Sequence, residues 1–184
     1  MSEAKKYTVE AVGPRMEDFL TGVCHHAQLH LTFQVQEGAR PHPDFENPDI
    51  VVKFSGPDVE LLLANRAELL LALEHLTMEA LRIPPEDHAL VCFDANDYRT
   101  LRIEELRLSA LTAAEKVKQT RVPFRFSPMT SRERRIIHLA LRNETAVRSE
   151  SAGVGPQRQV VVLPADMPMP PAPAPAPLRR GRRR

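Results

Sequence analysis

The chain has 184 residues, of which 42% are hydrophobic, so it can form one ordinary domain or two small ones. Its two cysteines, Cys24 and Cys92, are far apart and follow no signal peptide, which argues against a disulfide framework. No apolar run approaches the roughly 20 residues needed to cross a bilayer. We therefore expect a cytoplasmic protein with reduced thiols and no membrane insertion.

The net charge of +1 conceals an uneven distribution along the chain. Residues 1–120 carry 12 Lys and Arg against 20 Asp and Glu, whereas residues 121–163 carry eight Arg against three Glu. The segment from Pro164 adds five Arg and one Asp. This distribution predicts that a polyanion would bind to the C-terminal third.

The first 120 residues predict an α+β domain, because helical and alternating hydrophobic periods follow one another. Its predicted elements are a flexible start at 1–14, a helix at Met16–His26, strands at Leu29–Gln36 and Asp49–Phe54, a helical region from Asp58 to the Pro84-Pro85 pair, a strand at His88–Phe93, and a helix capped by Asn96 that ends near Gln119.

A second, smaller α+β unit is predicted from Arg121. Its expected elements are an extended edge segment at Val122–Phe126, a helix from Thr130 to about Arg142, and a hairpin of Val147–Ser151 with Arg158–Leu163. Thr130 and Glu133 have the spacing of a capping box, which predicts where this helix begins. Beyond Pro164, alternating Pro and Ala predict a disordered, polyproline-like spacer that ends in the basic segment Arg179–Arg184.

One face of the helix from Thr130 is predicted to be cationic. At about 100° per residue, four basic side chains share a quadrant, and Ile136 and Ile137 point the other way. These four are Arg134, Arg135, His138 and Arg142. Arginine offers permanently charged planar donors to phosphates, and an exposed imidazole can stack on bases. The alternative is a merely solvated charged face, but such faces usually mix signs, and here only Glu133 is acidic.

The pattern Arg134-x-x-x-His138, with Ser127-Pro-Met-Thr before it and the Ser149-Glu-Ser hairpin after it, closely resembles the Arg-x-x-x-His (R-3-H) nucleic-acid-binding domain. Upstream, Phe54-Ser-Gly-Pro-Asp and the later Asp94-Ala-Asn-Asp-Tyr resemble a type II KH domain. Together they resemble the bacterial Jag (SpoIIIJ-associated) proteins.

The resemblance implies a type II KH domain, a three-stranded sheet with helices on one face, at 15–120, and an R-3-H domain at 121–164. The composition predicts a disordered tail at 165–184. The resemblance also implies binding of single-stranded RNA, or of single-stranded DNA, and a link to cell elongation or division. Together with the charge, it assigns nucleic-acid contacts to six residues, namely Arg132, Arg134, Arg135, His138, Arg142 and Arg158.

The KH resemblance departs from its family at the phosphate-clamping GxxG loop, where this chain has Ala64-Asn65-Arg66-Ala67. A Cβ at both glycine positions hinders unusual backbone angles and close approach to phosphates. We therefore expect the helical region to run across this segment with less of a break. A second hypothesis follows, that the KH half is a scaffold or an adaptor that docks a protein partner.

No pattern in the chain predicts catalysis, a metal site or a cofactor. Cys24-His25-His26 and His30 lie in one short stretch without a second ligand cluster, so helix and strand surface is the simpler interpretation. The sequence contains no Gly-rich phosphate loop, no H-E-x-x-H and no nucleophile elbow. We therefore expect a binding protein and not an enzyme.

Overall fold

The computed structural model describes residues 5–38 and 44–169, which form two compact units. The N-terminal unit extends to Glu105 and the C-terminal unit begins at Leu106, so the division falls inside a helix. The sequence had suggested a division after that helix, at position 120. None of the described helices combines the length and apolar character that a membrane span requires.

The N-terminal unit is an α+β fold around one three-stranded sheet. Its strands have the order β1-β2-β3, with β1 antiparallel to β2 and β2 parallel to β3. The elements are α1 (Val9–His26), β1 (Thr32–Glu37), β2 (Ile50–Ser55), α2 (Val59–Leu81), a short 3-10 turn (Pro85–Leu90), β3 (Val91–Ala95) and α3 (Tyr98–Thr120), which continues into the C-terminal unit. Alternate residues of β2, including Ile50, Val52 and Phe54, enter the core. The predicted strands and helices are therefore present.

The start of the chain differs from the prediction of a flexible segment up to residue 14. The helix α1 begins at Val9, with the Thr8 side chain accepting the Ala11 amide as N-cap. Before it, the amides of Lys6 and Tyr7 both donate to the Asp49 carboxylate. A Gly-Pro pair usually signals a helix end, but here packing against the sheet keeps Pro14 inside the helix.

The expected continuity of α2 is wrong. Ala64 is extended, and the next three residues are left-handed, with φ of 52° at Asn65, 64° at Arg66 and 59° at Ala67. Ala67 is completely buried, and the Tyr98 hydroxyl donates to the Arg66 carbonyl at 3.2 Å. Because both halves of α2 bury leucines in one core, packing imposes a break that three side chains oppose locally.

Buried charged side chains lie along the β3 edge of this sheet. The Glu74 carboxylate of α2 accepts the Phe93 amide of β3 at 2.8 Å. The Arg99 guanidinium lies 3.4 Å from Glu74 and 2.6 Å from Glu46. Asp94, and not the expected Asn96, accepts an amide in the first turn of α3, that of Arg99. Asn96 is itself left-handed and precedes the helix.

The C-terminal unit contains a second three-stranded sheet, in which β6 is central. Its elements are β4 (Phe124–Arg125), α4 (Ser131–Ala140), β5 (Val147–Ala152), a short 3-10 turn (Gly155–Gln157) and β6 (Gln159–Pro164). The strand β6 is antiparallel to both β4 and β5, as the predicted edge segment and hairpin require. Four consecutive β6 residues, Val160 to Leu163, are completely buried.

The described start of the tail is held in place. The Ala165 amide donates to the Ala146 carbonyl, the Arg148 guanidinium donates to the Met167 carbonyl at 2.7 Å, and Asp166 pairs with Arg121. The disorder predicted from residue 165 is therefore wrong for residues 165–169. The remaining Pro/Ala-rich segment and Arg179–Arg184 lie outside the described residues.

Candidate nucleic-acid interface

The helix α4 begins where its capping box predicts. The Glu133 amide donates to the Thr130 hydroxyl, and the Thr130 amide donates to the Glu133 carboxylate at 2.9 Å. Ile136 and Ile137 are buried, which fixes the rotation of the helix about its axis. The basic residues one turn apart, Arg134 and His138, therefore lie together on the side away from the isoleucines.

Arg134 is anchored by the segment that enters the helix. Its guanidinium donates to the Met129 carbonyl at 2.8 Å, and the Met129 amide donates to the Arg158 carbonyl at 3.1 Å. Burial and the positive charge of Arg158 lower the pKa of Arg134 below its ordinary value. Two neighbouring arginines produce a positive potential that favours an anion.

His138 is not the exposed imidazole that the helix pattern suggested. Its Nδ1 lies 2.7 Å from the Ser149 hydroxyl and its Nε2 lies 3.0 Å from the Ser151 hydroxyl, both on β5. Burial and the charge of Arg134 lower the pKa of His138 below its usual value near 6.5. The ring is therefore half-buried and held in one orientation by two hydroxyls, because α4 packs against β5.

The other predicted contact residues do not all lie on the helix α4. Arg132 and Arg135 lie on α4, with Arg135 exposed. Arg142 is exposed and lies in the turn that follows the end of the helix at Ala140. Arg158 lies just before β6, and its positive charge acts on Arg134. We call Arg134, His138 and Arg158, with Ser149 and Ser151, the Arg134 cluster.

The Arg134 cluster has the chemistry of an anion-binding site. Guanidinium groups supply charged donors, and the two serines supply hydroxyls that can donate to a phosphate oxygen. A phosphate would also favour protonation of His138, after which both ring nitrogens donate. Residues 106–169 contain eleven Lys and Arg against five Asp and Glu, so the whole unit attracts polyanions.

Sequence reasoning missed the groups that hold the two motif residues in place. Ser149 and Ser151 are two positions apart on a predicted strand and so had to share one face. Nothing local indicates that this face meets His138, because the contact spans 11 and 13 residues. The Met129 carbonyl that anchors Arg134 is a backbone group without any sequence signature.

Comparison with known proteins supports the division of the chain. A family model of the R-3-H domain matches residues 104–164, which begins inside α3 and ends with β6. The match therefore starts earlier than the expected position 121, close to the first residue of the C-terminal unit.

The chain is also similar to three bacterial proteins named RNA-binding protein KhpB. It is 35% identical over 111 residues to the protein of Clostridium symbiosum, covering 60% of this chain and 50% of that protein. It is 36% identical over 111 residues to that of Bacillus subtilis, covering 59% and 53%. It is 32% identical over 119 residues to that of Lactiplantibacillus plantarum, covering 65% and 37%.

These alignments span about half, or less, of the relatives' lengths. Each is longer than the R-3-H match, and only 20 residues follow position 164, so each also includes part of residues 1–103. The KH assignment of the N-terminal unit depends on the resemblance and on the α+β topology, and it stays a prediction. The resemblance to the Jag proteins is confirmed to this extent: residues 104–164 match the R-3-H domain, and the chain is similar to the bacterial KhpB proteins.

Proposed function

We propose that this protein binds single-stranded RNA in the cytoplasm through the Arg134 cluster. The observation that carries the proposal is the position of Arg134, beside Arg158 and one helical turn from a serine-held His138. The geometry favours a phosphate with an adjoining ribose or base edge, since charged and hydroxyl donors converge there. The proposed activity is binding and not catalysis.

The relatives support this proposal through their names, which describe RNA binding and not a catalysed reaction. The positive charge of the C-terminal unit supports the proposal as well, because each RNA phosphate that the protein neutralises releases counterions, which favours binding. Family resemblance further suggests a role in cell elongation or division. That role is a prediction about the pathway and does not affect the binding site.

The test is fluorescence anisotropy of a labelled single-stranded RNA pool over a salt series. The informative variants are Arg134→Gln, His138→Gln and the double substitution, with Arg121→Gln as a control that removes one exposed charge from the same unit. A chain ending at residue 169 measures the contribution of the basic tail while leaving the Arg148–Met167 contact intact.

The double substitution is expected to weaken binding at least tenfold, because a charged hydrogen bond contributes about 1.5–3 kcal/mol. Arg134→Gln should also reduce the salt slope by about 0.7, the contribution of one phosphate contact on a single strand. Arg121→Gln should change both quantities little. Unchanged affinity in the double variant would disprove the assignment, and equal competition by single-stranded DNA would show that the 2′-hydroxyl is not recognised.

A second candidate function is a protein-docking role for the N-terminal unit. Residues 1–105 carry nine Lys and Arg against 19 Asp and Glu. This negative net charge disfavours RNA binding and favours binding of a basic partner. A cleft of about 240 Å³ lies on the sheet face that carries Val51 and Cys92, and its rim includes Lys53, Asp94 and Asp97. This proposal treats the unit as an adaptor.

Nuclease-treated pull-down with the intact chain tests the adaptor hypothesis. Val51→Glu places a charge in the cleft, whereas Glu17→Gln on an exposed position of α1 serves as the control. Specific loss of a partner in Val51→Glu would support the adaptor. Retention of every partner by this variant, with its fold intact by circular dichroism, would count against it.

A further inference from the structure

A second surface of the C-terminal unit combines aromatic rings with positive charge. A groove of about 540 Å³ lies between α3 and β4. We call it the phenylalanine groove, and its lining residues are Leu108, Ser109, Thr112, Ala113, Lys116 and the segment 124–127. Neither the Arg-x-x-x-His pattern nor the Arg134 cluster includes any of these residues.

The two rings of the groove are only partly buried. Phe124 lies in β4 and Phe126 directly follows that strand, with the two ring centroids 5.0 Å apart and their planes at 76°. The Lys116 ammonium lies 5.8 Å from the centroid of Phe124. An exposed cation-aromatic contact of this kind is weak, so Lys116 can be redirected to a phosphate.

Aromatic faces beside cations are the usual means of binding single-stranded nucleic acid without reading its sequence. Lys116 and Arg125 favour a polyanion, and the hydroxyls of Ser109, Thr112 and Ser127 offer further polar partners. A proline-rich peptide could also contact aromatic rings. The proline segment of this chain ends in arginines, however, and so does not complement the charge of the groove.

The groove is continuous with the Arg134 cluster through the backbone. The Phe126 amide donates to the Val160 carbonyl at 2.9 Å, and three residues later the Met129 amide donates to the Arg158 carbonyl. The Met129 carbonyl in turn accepts from Arg134. Three residues span at most about 11 Å, so one short oligonucleotide can reach both surfaces.

We propose that the phenylalanine groove is a base-stacking subsite, in which bases of a single-stranded nucleic acid lie against Phe126 and Phe124 while Lys116 contacts the flanking phosphate. This inference rests on the proposed RNA-binding function and extends its path from the Arg134 cluster onto the edge strand β4. The Arg134 cluster anchors the backbone, and the groove supplies sequence-tolerant affinity.

The test measures the affinity of the full chain and its variants for a labelled RNA of about 12 nucleotides, within the site sizes of single-strand binders. A second RNA carries abasic positions throughout its centre. Phe126→Leu keeps an apolar side chain and removes the aromatic face, and Lys116→Gln removes the cation. Lys118→Gln is the matched control, because its ammonium already pairs with Glu115 and Glu144.

Phe126→Leu should weaken binding of the intact RNA about fivefold or more and leave the abasic RNA unaffected, because stacking needs a base. Lys116→Gln should weaken both RNAs and lower the salt slope by about 0.7. Lys118→Gln should match the unaltered chain. An equal loss on both RNAs in Phe126→Leu would overturn stacking and indicate altered folding.

Failure of this inference can be distinguished from failure of the proposed function. If Phe126→Leu binds intact RNA normally while the Arg134 and His138 double variant does not, only the stacking subsite is wrong. If the double variant binds normally, the proposed function itself fails. Displacement of the RNA by a peptide of residues 167–177, lost in Phe126→Leu, would assign the groove to the proline segment and overturn the inference.

Discussion

The left-handed break in α2 predicts an unusual response to glycine. Arg66 has φ of 64°, a conformation that costs an L-residue about 1–2 kcal/mol and costs glycine almost nothing. Glycine also gains freedom in the unfolded chain, which opposes this gain by about 0.4–1 kcal/mol. Arg66→Gly should therefore be neutral or stabilise the N-terminal unit by up to about 1.5 kcal/mol.

The matched control lies in the same helix. Ala72 is exposed within regular α2, so Ala72→Gly should destabilise the unit by about 1 kcal/mol. Arg66→Ala retains the Cβ and so should not stabilise. The contrast between the two glycine variants is therefore expected to be about 1–2.5 kcal/mol, which is a large effect for exposed positions.

Urea unfolding followed by tyrosine fluorescence provides the assay. The chain contains no tryptophan, and its two tyrosines, Tyr7 and Tyr98, both lie in the N-terminal unit. Tyr98 also donates to the Arg66 carbonyl, so its signal reports on the loop itself. If Arg66→Gly lost as much stability as Ala72→Gly, residue 66 would be helical in solution and the reasoning would be refuted.

The remaining predictions concern charge and capping. Because the pKa of His138 is lowered, stability of the C-terminal unit should fall as pH decreases below about 6.5, and bound RNA should raise that pKa in an NMR titration. Arg134→Gln should raise the same pKa without RNA, since it removes a positive neighbour. Glu74→Ala should destabilise the N-terminal unit by about 2–4 kcal/mol by stranding the Phe93 amide, whereas Glu74→Gln keeps an acceptor and should lose less in urea unfolding. Thr130→Ala should destabilise the C-terminal unit by about 1 kcal/mol in thermal unfolding followed by circular dichroism, and an unchanged midpoint would contradict the capping box.

The sequence predicted those elements that depend on interactions between residues close together in the chain. The capping box of Thr130 and Glu133 placed the start of α4, because both of its hydrogen bonds form within three residues. The two extended segments Val147–Ser151 and Arg158–Leu163 indicated the hairpin of β5 and β6, whose register pairs Ser149 with Val162. The isoleucine spacing likewise identified the packed face of α4.

Long-range packing decided the features that were mispredicted. Nothing near Pro14 indicates that sheet contacts carry α1 through it, and Ala64-Asn65-Arg66-Ala67 has no local reason to break a helix. His138 was expected to be exposed because the two serines that hold it are remote in sequence. Tertiary contacts outweigh propensities of about 1 kcal/mol, so the sequence alone could not show these outcomes.

The backbone conformation of the loop at 64–67 does not by itself indicate that this unit binds RNA. Asn65, Arg66 and Ala67 adopt left-handed angles without glycine, yet the unit around them has ten more acidic than basic residues. At physiological salt, charges within about 8 Å still interact, and a single Arg66 cannot offset such a field. The C-terminal unit has more basic than acidic residues, and its Arg134 cluster brings several hydrogen-bond donors together. Charge, and not loop conformation, is therefore the reason why we propose the C-terminal unit as the RNA-binding unit.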